Sequence, residues 1–224
     1  MNQLARWWRR ARARYSRRIG TTGHRLMAID NGFNPPATGV LVRAGQQVDL
    51  RRHMPGDRET FARWYQDPEI AELLRHDLSP LSANQARNYF DSIIMPATQR
   101  GTCWAIHEHR TSRLIGSTAL VDINDVRRSS LFRIVIGEKD SWGQGYGTEA
   151  TDLVLAEAFM RHGLDRVHLE VFEHNPRARG AYARVGFQET GQHVEWVARA
   201  SRQIDVIEMV MTRQAWLVRV SGEP

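Results

Sequence analysis

Residues 141–150, SWGQGYGTEA, place three glycines at alternating positions and then continue as helix-forming sequence. Glycine adopts backbone conformations that other residues avoid, and it lets another molecule approach the main chain closely. The first N–H groups of a helix have no partner within the helix, and the helix dipole favours an anion beside them. The spacing therefore predicts a phosphate-binding turn at a helix N-terminus, with a simple tight turn as the alternative.

Two other glycine-rich phosphate sites differ from this segment. A P-loop needs a lysine and a hydroxyl residue directly after its last glycine, whereas Thr148 and Glu149 follow Gly147 here. A dinucleotide fingerprint has the form G-x-G-x-x-G, and this segment has the form G-x-G-x-G. A nucleotide-binding protein that uses the glycine turn stays open as a third interpretation.

A second segment, LEVFEHNPRARGAYARVGF at residues 169–187, follows the first. Together the two segments resemble the GNAT acetyltransferase superfamily. WGQGYGTEA resembles the acetyl-CoA loop R/Q-x-x-G-x-G/A, with Trp142 in the Arg or Gln position. Asn175 to Phe187 resembles the second cofactor motif, with Ala178 where serine is common. The resemblance spans about residues 46–212, and WYQDPEI and DVIEMVM resemble the subgroup of ribosomal-protein N-terminal and spermidine acetyltransferases.

The resemblance implies acetyl-CoA as the cosubstrate and no metal. Pantetheine would pair like an extra strand with one stretch of backbone, the pyrophosphate would lie on the amides of the glycine turn, and two further side chains would lie near the cofactor. The backbone stretch implied to pair with pantetheine is Arg133, Ile134, Val135 and Ile136. The residues implied for the glycine turn are Trp142, Gly143, Gln144, Gly145, Tyr146, Gly147 and Thr148. The two further side chains are those of Asn175 and Arg179.

The resemblance also implies that Tyr182, seven residues after Asn175, is the general acid that protonates the leaving thiolate. A phenol suits this role because it keeps its proton at neutral pH and is still more acidic than water. A packed core aromatic is the alternative for Tyr182.

Glu170 is the first candidate for the general base. In VHLEVF the apolar residues alternate to one face of a strand, so His168 and Glu170 share the other face. A glutamate at this distance before the asparagine also occurs in some N-terminal acetyltransferases. Glu138, at the end of the preceding strand, is the competing candidate, and a solvated glutamate with no role is the alternative for each.

The pKa values of the candidate amines indicate which of them is the preferred acceptor. An α-amine has a pKa near ~7.8 and a lysine amine near ~10.4, so forming the free base at pH 7 costs about 1 and about 4.6 kcal/mol respectively. One glutamate deprotonates the α-amine of a protein or peptide more easily than a lysine amine. The α-amine is therefore the preferred prediction for the acceptor. A small amine of the polyamine type is the alternative acceptor, and a non-catalytic module that binds acyl-CoA is the alternative to an enzyme.

Composition fits a globular enzyme with a basic extension. The chain of 224 residues has a net charge of +6, but eight of its 31 basic residues lie in residues 1–29, which leaves 23 against 25 acidic residues. The single cysteine, Cys103, cannot form an internal disulfide, and with no apolar leader or membrane span in view the sequence predicts a cytoplasmic protein. HEH at residues 107–109 is expected to be an exposed strand edge, not a metal site.

The periodicity predicts an α+β protein. The resemblance implies the GNAT fold, a mixed and mostly antiparallel sheet flanked by helices, here behind a basic N-terminal arm. The predicted divisions are an arm at residues 1–29, a linker at 30–39 and the acetyltransferase domain at 40–219. The arm is expected to be an amphipathic helix or disordered, and it could contact RNA or an anionic membrane surface. A sheet edge or the final hairpin could pair in a homodimer.

Overall fold

The computed structural model of the protein describes residues 38–222. The predicted arm, and the linker up to residue 37, lie outside the described residues, so the three predicted divisions of the chain stay predictions. None of the helices in the described part is long and apolar enough to cross a membrane.

One eight-stranded sheet forms the centre of residues 38–222, with the strand order β1-β2-β3-β4-β5-β6-β8-β7. Neighbouring strands are antiparallel except β5 and β6, which are parallel. The mixed, mostly antiparallel sheet of the predicted α+β fold is therefore confirmed. The strands are β1 (Leu41–Ala44), β2 (Val48–Arg51), β3 (Cys103–Glu108), β4 (Leu114–Asn124), β5 (Ser129–Ile136), β6 (Arg166–Phe172), β7 (Gln188–Val197) and β8 (Arg202–Thr212).

Within the described residues, seven α-helices flank the sheet, and two of them continue into a π-helical turn. Those turns are Phe90–Ile94, which joins α3 to α4, and Glu157–Arg161, which follows α5. The helices are α1 (Arg58–Gln66), α2 (Pro68–Leu74), α3 (Ala83–Tyr89), α4 (Met95–Gln99), α5 (Tyr146–Ala156), α6 (Pro176–Val185) and α7 (Arg213–Ser221).

The helix boundaries follow from capping residues that are visible in the sequence. Asp67 separates α1 from α2, because its carboxylate accepts hydrogen bonds from the amides of Glu69 and Ile70 while Pro68 occupies the first helical position. Ser82 starts α3 through a capping box with Gln85. Gly186, in the left-handed conformation, ends α6.

Two apolar cores hold the helices on the sheet. One contains buried residues of α5, α6 and α7 together with the strands, and Phe159 and Trp216 meet in it with ring centroids 5.5 Å apart. The other contains Phe61, Trp64 and Phe90 from α1 and the turn after α3. Because both faces of the sheet are covered, the functional residues can be reached only where neighbouring strands separate.

Such a separation occurs between β5 and β6. The two strands pair only from Ser129 to Leu131 on β5 and from Arg166 to His168 on β6. Beyond these residues β5 continues to pair with β4, and β6 with β8, but not with each other. A cleft therefore opens between the carboxyl-terminal halves of two neighbouring strands.

Candidate active site

The cleft between β5 and β6 brings the two sequence motifs together. Its lining includes both predicted catalytic residues, Glu170 and Tyr182, and the backbone stretch 133–136 of β5. It includes most of the glycine turn as well, whereas Gln144 is absent from the lining and its Nε2 donates to the Asp140 carbonyl at 3.2 Å. Two regions about thirty residues apart in sequence thus face one space.

The glycine turn leaves main-chain donors open to the cleft. Gly145 precedes α5 with φ 86°, a left-handed conformation that strains other residues, and no side chain within residues 38–222 caps the helix. The amides of the first turn, from Tyr146 to Thr148, therefore have no intrahelical partner. A Cβ on Gly147 would meet only Ile136 Cγ1, at 3.6 Å, so the protein's own atoms do not demand a glycine there. The turn suits a close-fitting anion such as pyrophosphate.

The only acidic residue in the first turn of α5, Glu149, is directed away from this anion site. Its carboxylate accepts hydrogen bonds from the amides of Gln46, Gln47 and Val48, at 2.5 to 3.2 Å. These amides belong to the turn between β1 and β2. Glu149 therefore anchors that hairpin on α5, and its charge is shared with three N–H groups instead of facing the open amides.

Trp142 holds the glycine turn against β5. Its Nε1 donates to the Ile136 carbonyl at 2.7 Å, across the end of the strand. The family pattern has Arg or Gln at this position, so the side chain here supplies a hydrogen bond and an aromatic face but no charge. The guanidinium of Arg177 lies over that face, 3.8 Å from the ring centroid.

Arginines of α6 supply the positive charge at this end of the cleft. Arg177 and Arg184 line it, and a separation of seven residues puts them on one face of the helix. Arg179 is not in the lining, and its Nη2 donates to Glu189 Oε2 at 3.0 Å. Arg179 is therefore outside the cleft lining, and its place near the cofactor stays a prediction; Arg177 and Arg184, which sequence reasoning missed, line the cleft instead.

Asn175 lines the cleft and also organises the structure around it. Its Oδ1 caps α6 by accepting from the Ala178 amide at 3.2 Å, and its Nδ2 donates to the Leu73 carbonyl at 3.4 Å. The second contact ties α2 to the start of α6. The residue expected to reach pantetheine is thus engaged at both ends of its amide by the protein.

Tyr182 presents its phenol to the cleft from α6. Its ring packs edge-on against Phe132, with centroids 6.2 Å apart, and its hydroxyl makes no hydrogen bond within residues 38–222. Burial raises the pKa of Tyr182 to about 12, although the nearby Arg133 opposes this effect. The phenol is therefore protonated at neutral pH and free to donate to a bound group.

The two candidate bases are separated by the fold. Glu170 lines the cleft, with Arg133 Nη2 at 3.4 Å from its Oε2. Glu138 is outside the cleft lining; it lies beside α1, where it accepts hydrogen bonds from Arg63 Nη2 at 2.6 Å and Trp64 Nε1 at 2.8 Å. Of the two carboxylates, only Glu170 can meet an amine in the cleft.

Beside Glu170 lies His76, a residue that sequence reasoning missed. It lines the cleft from the loop after α2, and its Nε2 is 3.6 Å from Glu170 Oε2. Its Nδ1 is hydrogen-bonded to Glu195 Oε2 at 2.7 Å, and its ring meets Phe172 edge-on. No motif marks this residue, because His76 and Glu195 are 119 positions apart in the chain.

The predicted strand edge at residues 107–109 is only half right. His109 is exposed and its Nδ1 contacts Asp49 Oδ1 at 2.8 Å, but His107 is buried because β3 lies between β2 and β4. Burial lowers the pKa of His107, and this effect outweighs the hydrogen bond to the Ser112 carbonyl, which raises it. In the described part of the chain, no three His, Cys, Asp or Glu side chains group as metal ligands.

Cys103 is buried, as expected for an unreactive thiol. Burial raises the pKa of its thiol to about 12, and this effect outweighs the contact with Ser117 Oγ at 4.0 Å, which lowers the pKa. The thiolate is therefore disfavoured at neutral pH.

Known proteins share both the motifs and the fold. A model of the acetyltransferase (GNAT) domain matches residues 47–188. A spermidine N(1)-acetyltransferase of Vibrio cholerae is 26% identical over 187 residues, which covers 80% of this chain and 96% of that protein.

Solved structures agree with the fold. The crystal structure of spermidine N-acetyltransferase from Vibrio cholerae in complex with CoA and spermine has a TM-score of 0.66 at 24% identity, covering 76% of this chain and 98% of that one. A GNAT-family acetyltransferase from Bacillus anthracis has a TM-score of 0.66 at 12% identity, covering 77% and 98%. With two cofactor motifs on one cleft and a family model over most of the described chain, the protein belongs to the GNAT family and is an N-acetyltransferase that uses acetyl-CoA.

Proposed function

We propose that the protein transfers the acetyl group of acetyl-CoA to a small amine of the polyamine type. The observation that carries this proposal is a pair of half-buried carboxylates on either side of His76: Glu170, which lines the cleft, and Glu195, which lies behind His76 and outside the cleft lining. A polyamine carries several ammonium groups, and each one that enters a cleft needs a negative partner or a hydrogen-bond acceptor. The similarity to spermidine acetyltransferases supports the same acceptor.

The sequence alone favoured a protein or peptide α-amine, because one glutamate deprotonates it more easily. That reasoning assumed a single carboxylate at the acceptor end. A second carboxylate stabilises the multiply charged acceptor when it binds, which offsets part of the roughly 4.6 kcal/mol needed to deprotonate an amine of pKa ~10.4 at pH 7. The similarities to known proteins also favour the polyamine over the α-amine.

The cofactor residues have matching roles in this proposal. The pyrophosphate lies on the amides that follow Gly145, and Arg177 and Arg184 add charge beside it. Pantetheine runs along the β6-facing edge of β5 at residues 133–136; β4 pairs with the opposite edge there, and β6 pairs with β5 only as far as Leu131. The thioester then lies between Glu170 on β6 and Tyr182 on α6.

Glu170 accepts the proton of the acceptor ammonium, and Tyr182 protonates the departing thiolate. Donation from a phenol with a pKa of about 12 is unfavourable to an ordinary thiolate of pKa ~8.5. Burial has a similar effect on thiols, however, since it raises the pKa of Cys103 to about 12 as well. A CoA thiolate that is desolvated beside Tyr182 has its pKa raised in the same direction, which narrows the gap between the two pKa values.

The test is thiol release from acetyl-CoA with a panel of acceptors. We expect turnover with spermidine and spermine and weaker turnover with a monoamine of similar length, because the monoamine lacks the second ammonium. Peptides with free Ala, Ser or Met N-termini, and the same peptides N-blocked but containing lysine, complete the panel. Turnover with free N-termini alone would refute the polyamine proposal and restore the α-amine.

A matched pair of variants tests the carboxylate argument. Glu195→Gln keeps the shape of the side chain and removes its charge, so we expect a higher KM for spermidine and an unchanged KM for acetyl-CoA. Glu189→Gln, on the same strand but paired with Arg179 away from the cleft, is the control. Equal KM values for spermidine in both variants would show that Glu195 does not hold the acceptor.

A further inference from the structure

A row of alternating carboxylates and imidazoles leads from Glu170 to the surface of the β7–β8 hairpin. From Glu170 it passes to His76 Nε2 at 3.6 Å, and from His76 Nδ1 to Glu195 at 2.7 Å. His193 Nε2 then lies 3.3 Å from Glu195, and His193 Nδ1 lies 2.9 Å from Glu208 on β8. Each imidazole has a carboxylate at both nitrogens, so each can take a proton on one side and release one on the other.

Acetyl transfer to an ammonium releases one proton per turnover, and the base must lose that proton before the next cycle. Within residues 38–222, the ionisable side chains that approach the Glu170 carboxylate within 4 Å are those of Arg133 and His76. Arg133 cannot accept a proton, because a guanidinium stays charged throughout the working pH range. His76 is thus the neighbour that can receive the proton from Glu170.

We propose that His76, held by Glu195, takes the proton from Glu170 and passes it towards solvent through Glu195 and His193. The proposal rests on Glu170 as the base in the proposed function, but not on which amine is the acceptor. In the first step the N–H bond of the ammonium breaks and an O–H bond forms on Glu170. In the second step that O–H bond breaks as His76 Nε2 gains the proton, and Nδ1 gives its own proton to Glu195.

The surroundings of His76 suit a transfer in this direction. His76 itself contacts Glu170 on β6 and Glu195 on β7, and Arg75 and Asp77 flank it in its own loop. The next ionisable groups are Arg133, which contacts Glu170; His193, which contacts Glu195; and Glu208, which contacts His193. Arg75 and Asp77 pair with each other at 2.7 Å. Burial alone would lower the pKa of His193, but hydrogen bonds to Glu195 and Glu208 outweigh it and raise that pKa, so a proton that reaches the outer imidazole is stabilised there until Nδ1 releases one on the side of Glu208. The gap of 3.6 Å is of the kind that shortens when a substrate binds.

The first experiment compares the dependence of kcat on pH in wild type, His76→Ala and His168→Ala. His168 lies on the same strand as Glu170, is exposed and does not line the cleft, so it is the matched control. We expect His76→Ala to lower kcat about tenfold or more, with the KM for acetyl-CoA unchanged, because proton release becomes slow. Added imidazole should restore kcat in proportion to its neutral form.

A second variant guards against a folding defect in His76→Ala. Glu195→Gln keeps the hydrogen-bond acceptor of the side chain but cannot carry a proton onward, so we expect a lower kcat and a shifted pH profile. Acetyl-CoA binding, measured by calorimetry, reports whether each variant is folded. If His76 has only a structural role, Glu195→Gln should keep the wild-type pH profile, and added imidazole should change kcat of His76→Ala no more than it changes kcat of the wild type. That result would overturn the proposal.

The outcome is separable from that of the polyamine proposal. The relay is measured with whichever amine the acceptor panel shows to be turned over, α-amine peptides included. A wild-type pH profile in His76→Ala with spermidine as substrate would refute the relay and leave the polyamine acceptor intact. An altered, imidazole-dependent profile with a peptide substrate would refute the acceptor and leave the relay intact.

Discussion

The two ends of the cleft are built in different ways. The cofactor end is made mostly of main chain, in which the amides after Gly145 and the open edge of β5 offer donors and acceptors at fixed positions. The amine end is made of side chains from four separate elements, in which Arg133 contacts Glu170, Glu170 contacts His76, and His76 contacts Glu195.

The difference follows from what each end must recognise. A pyrophosphate is the same in every reaction of the family, so a backbone turn with the right curvature serves it whatever the surrounding side chains are. An acceptor amine differs between enzymes, and only side chains can be exchanged to suit it. Substitutions at the amine end should therefore change turnover and specificity, whereas substitutions at the cofactor end should change affinity for acetyl-CoA.

The largest expected effect is at the amine end. Glu170→Gln should lower kcat by about 10³-fold while acetyl-CoA affinity stays the same, because a general base contributes about 10²–10⁴-fold. Glu138→Gln, paired with Arg63 and Trp64 outside the cleft lining, should keep wild-type kcat. The opposite pattern in steady-state kinetics would make Glu138 the base.

Tyr182→Phe comes next, with kcat lower by about 10²-fold, near the lower limit for a general acid. The ring contact with Phe132 survives this change, so stability and acetyl-CoA binding should be preserved. Thiol release and calorimetric titration measure the two quantities. An undiminished kcat would assign Tyr182 to packing alone.

At the cofactor end, Gly145→Ala should weaken acetyl-CoA binding about tenfold. The residue has φ 86°, and a left-handed conformation costs about 1–2 kcal/mol for a residue with a Cβ, so the turn must shift. Gly222→Ala supplies a control with similar strain at φ 68° beyond the end of α7. It should lower the melting temperature without changing the Kd for acetyl-CoA.

Arg177→Gln should weaken acetyl-CoA binding about fivefold, which corresponds to the net contribution of about 1 kcal/mol of a typical hydrogen bond, and more at low salt than at high salt. Arg179→Gln should leave the Kd unchanged, since that guanidinium pairs with Glu189. If instead Arg179→Gln weakens binding and Arg177→Gln does not, the face of α6 assigned to the cofactor is wrong.

The smallest effect concerns the stability of the β7–β8 hairpin. The raised pKa of His193 stabilises the fold below about pH 6.5, and this contribution is lost as pH rises through the folded pKa. The pKa of Glu195 is lowered, since hydrogen bonds to His76 and His193 outweigh burial; its contribution is present above about pH 4.5 and is lost as pH falls through the folded pKa.

Both contributions are complete between about pH 4.5 and 6.5. In that window, His193→Gln should lower the free energy of unfolding by less than about 1 kcal/mol, because the pair is partly exposed. The difference should shrink at pH 8.5. Urea unfolding at pH 5.5 and 8.5 measures it, and an equal difference at both values would mean that the charge of His193 is not involved.

Local sequence signals predicted most of the fold correctly. The alternation in VHLEVF predicted a strand, which the structure contains as β6, because strand alternation depends on neighbouring residues only. The final helix α7 was missed, although Thr212 caps it by accepting from the Ala215 amide. His107 was placed at an edge because the sequence does not say which strands lie on either side of β3.

In the candidate site, too, the residues within contiguous motifs could be predicted, and those that depend on tertiary packing could not. The glycine turn, Asn175 and Tyr182 lie in contiguous motifs, so their positions could be predicted. Arg177 and Arg184, and not the predicted Arg179, line the cleft because of the face of α6 that meets Trp142. Helical spacing alone does not determine which face that is. His76 and Glu195 carry no motif, and only the packing of the loop after α2 on β7 brings them together.

The sequence by itself determined the family, the acetyl-CoA turn and the alternation that turns Glu170 out of the core, because each is encoded within about twenty consecutive residues. Tertiary structure decided that Glu170 and not Glu138 faces the cleft, which arginines lie beside the cofactor, and that a histidine joins two carboxylates at the amine end. Those decisions depend on where β5 and β6 separate and on what packs beside them. Contacts between residues a hundred positions apart have no local pattern from which they could be read.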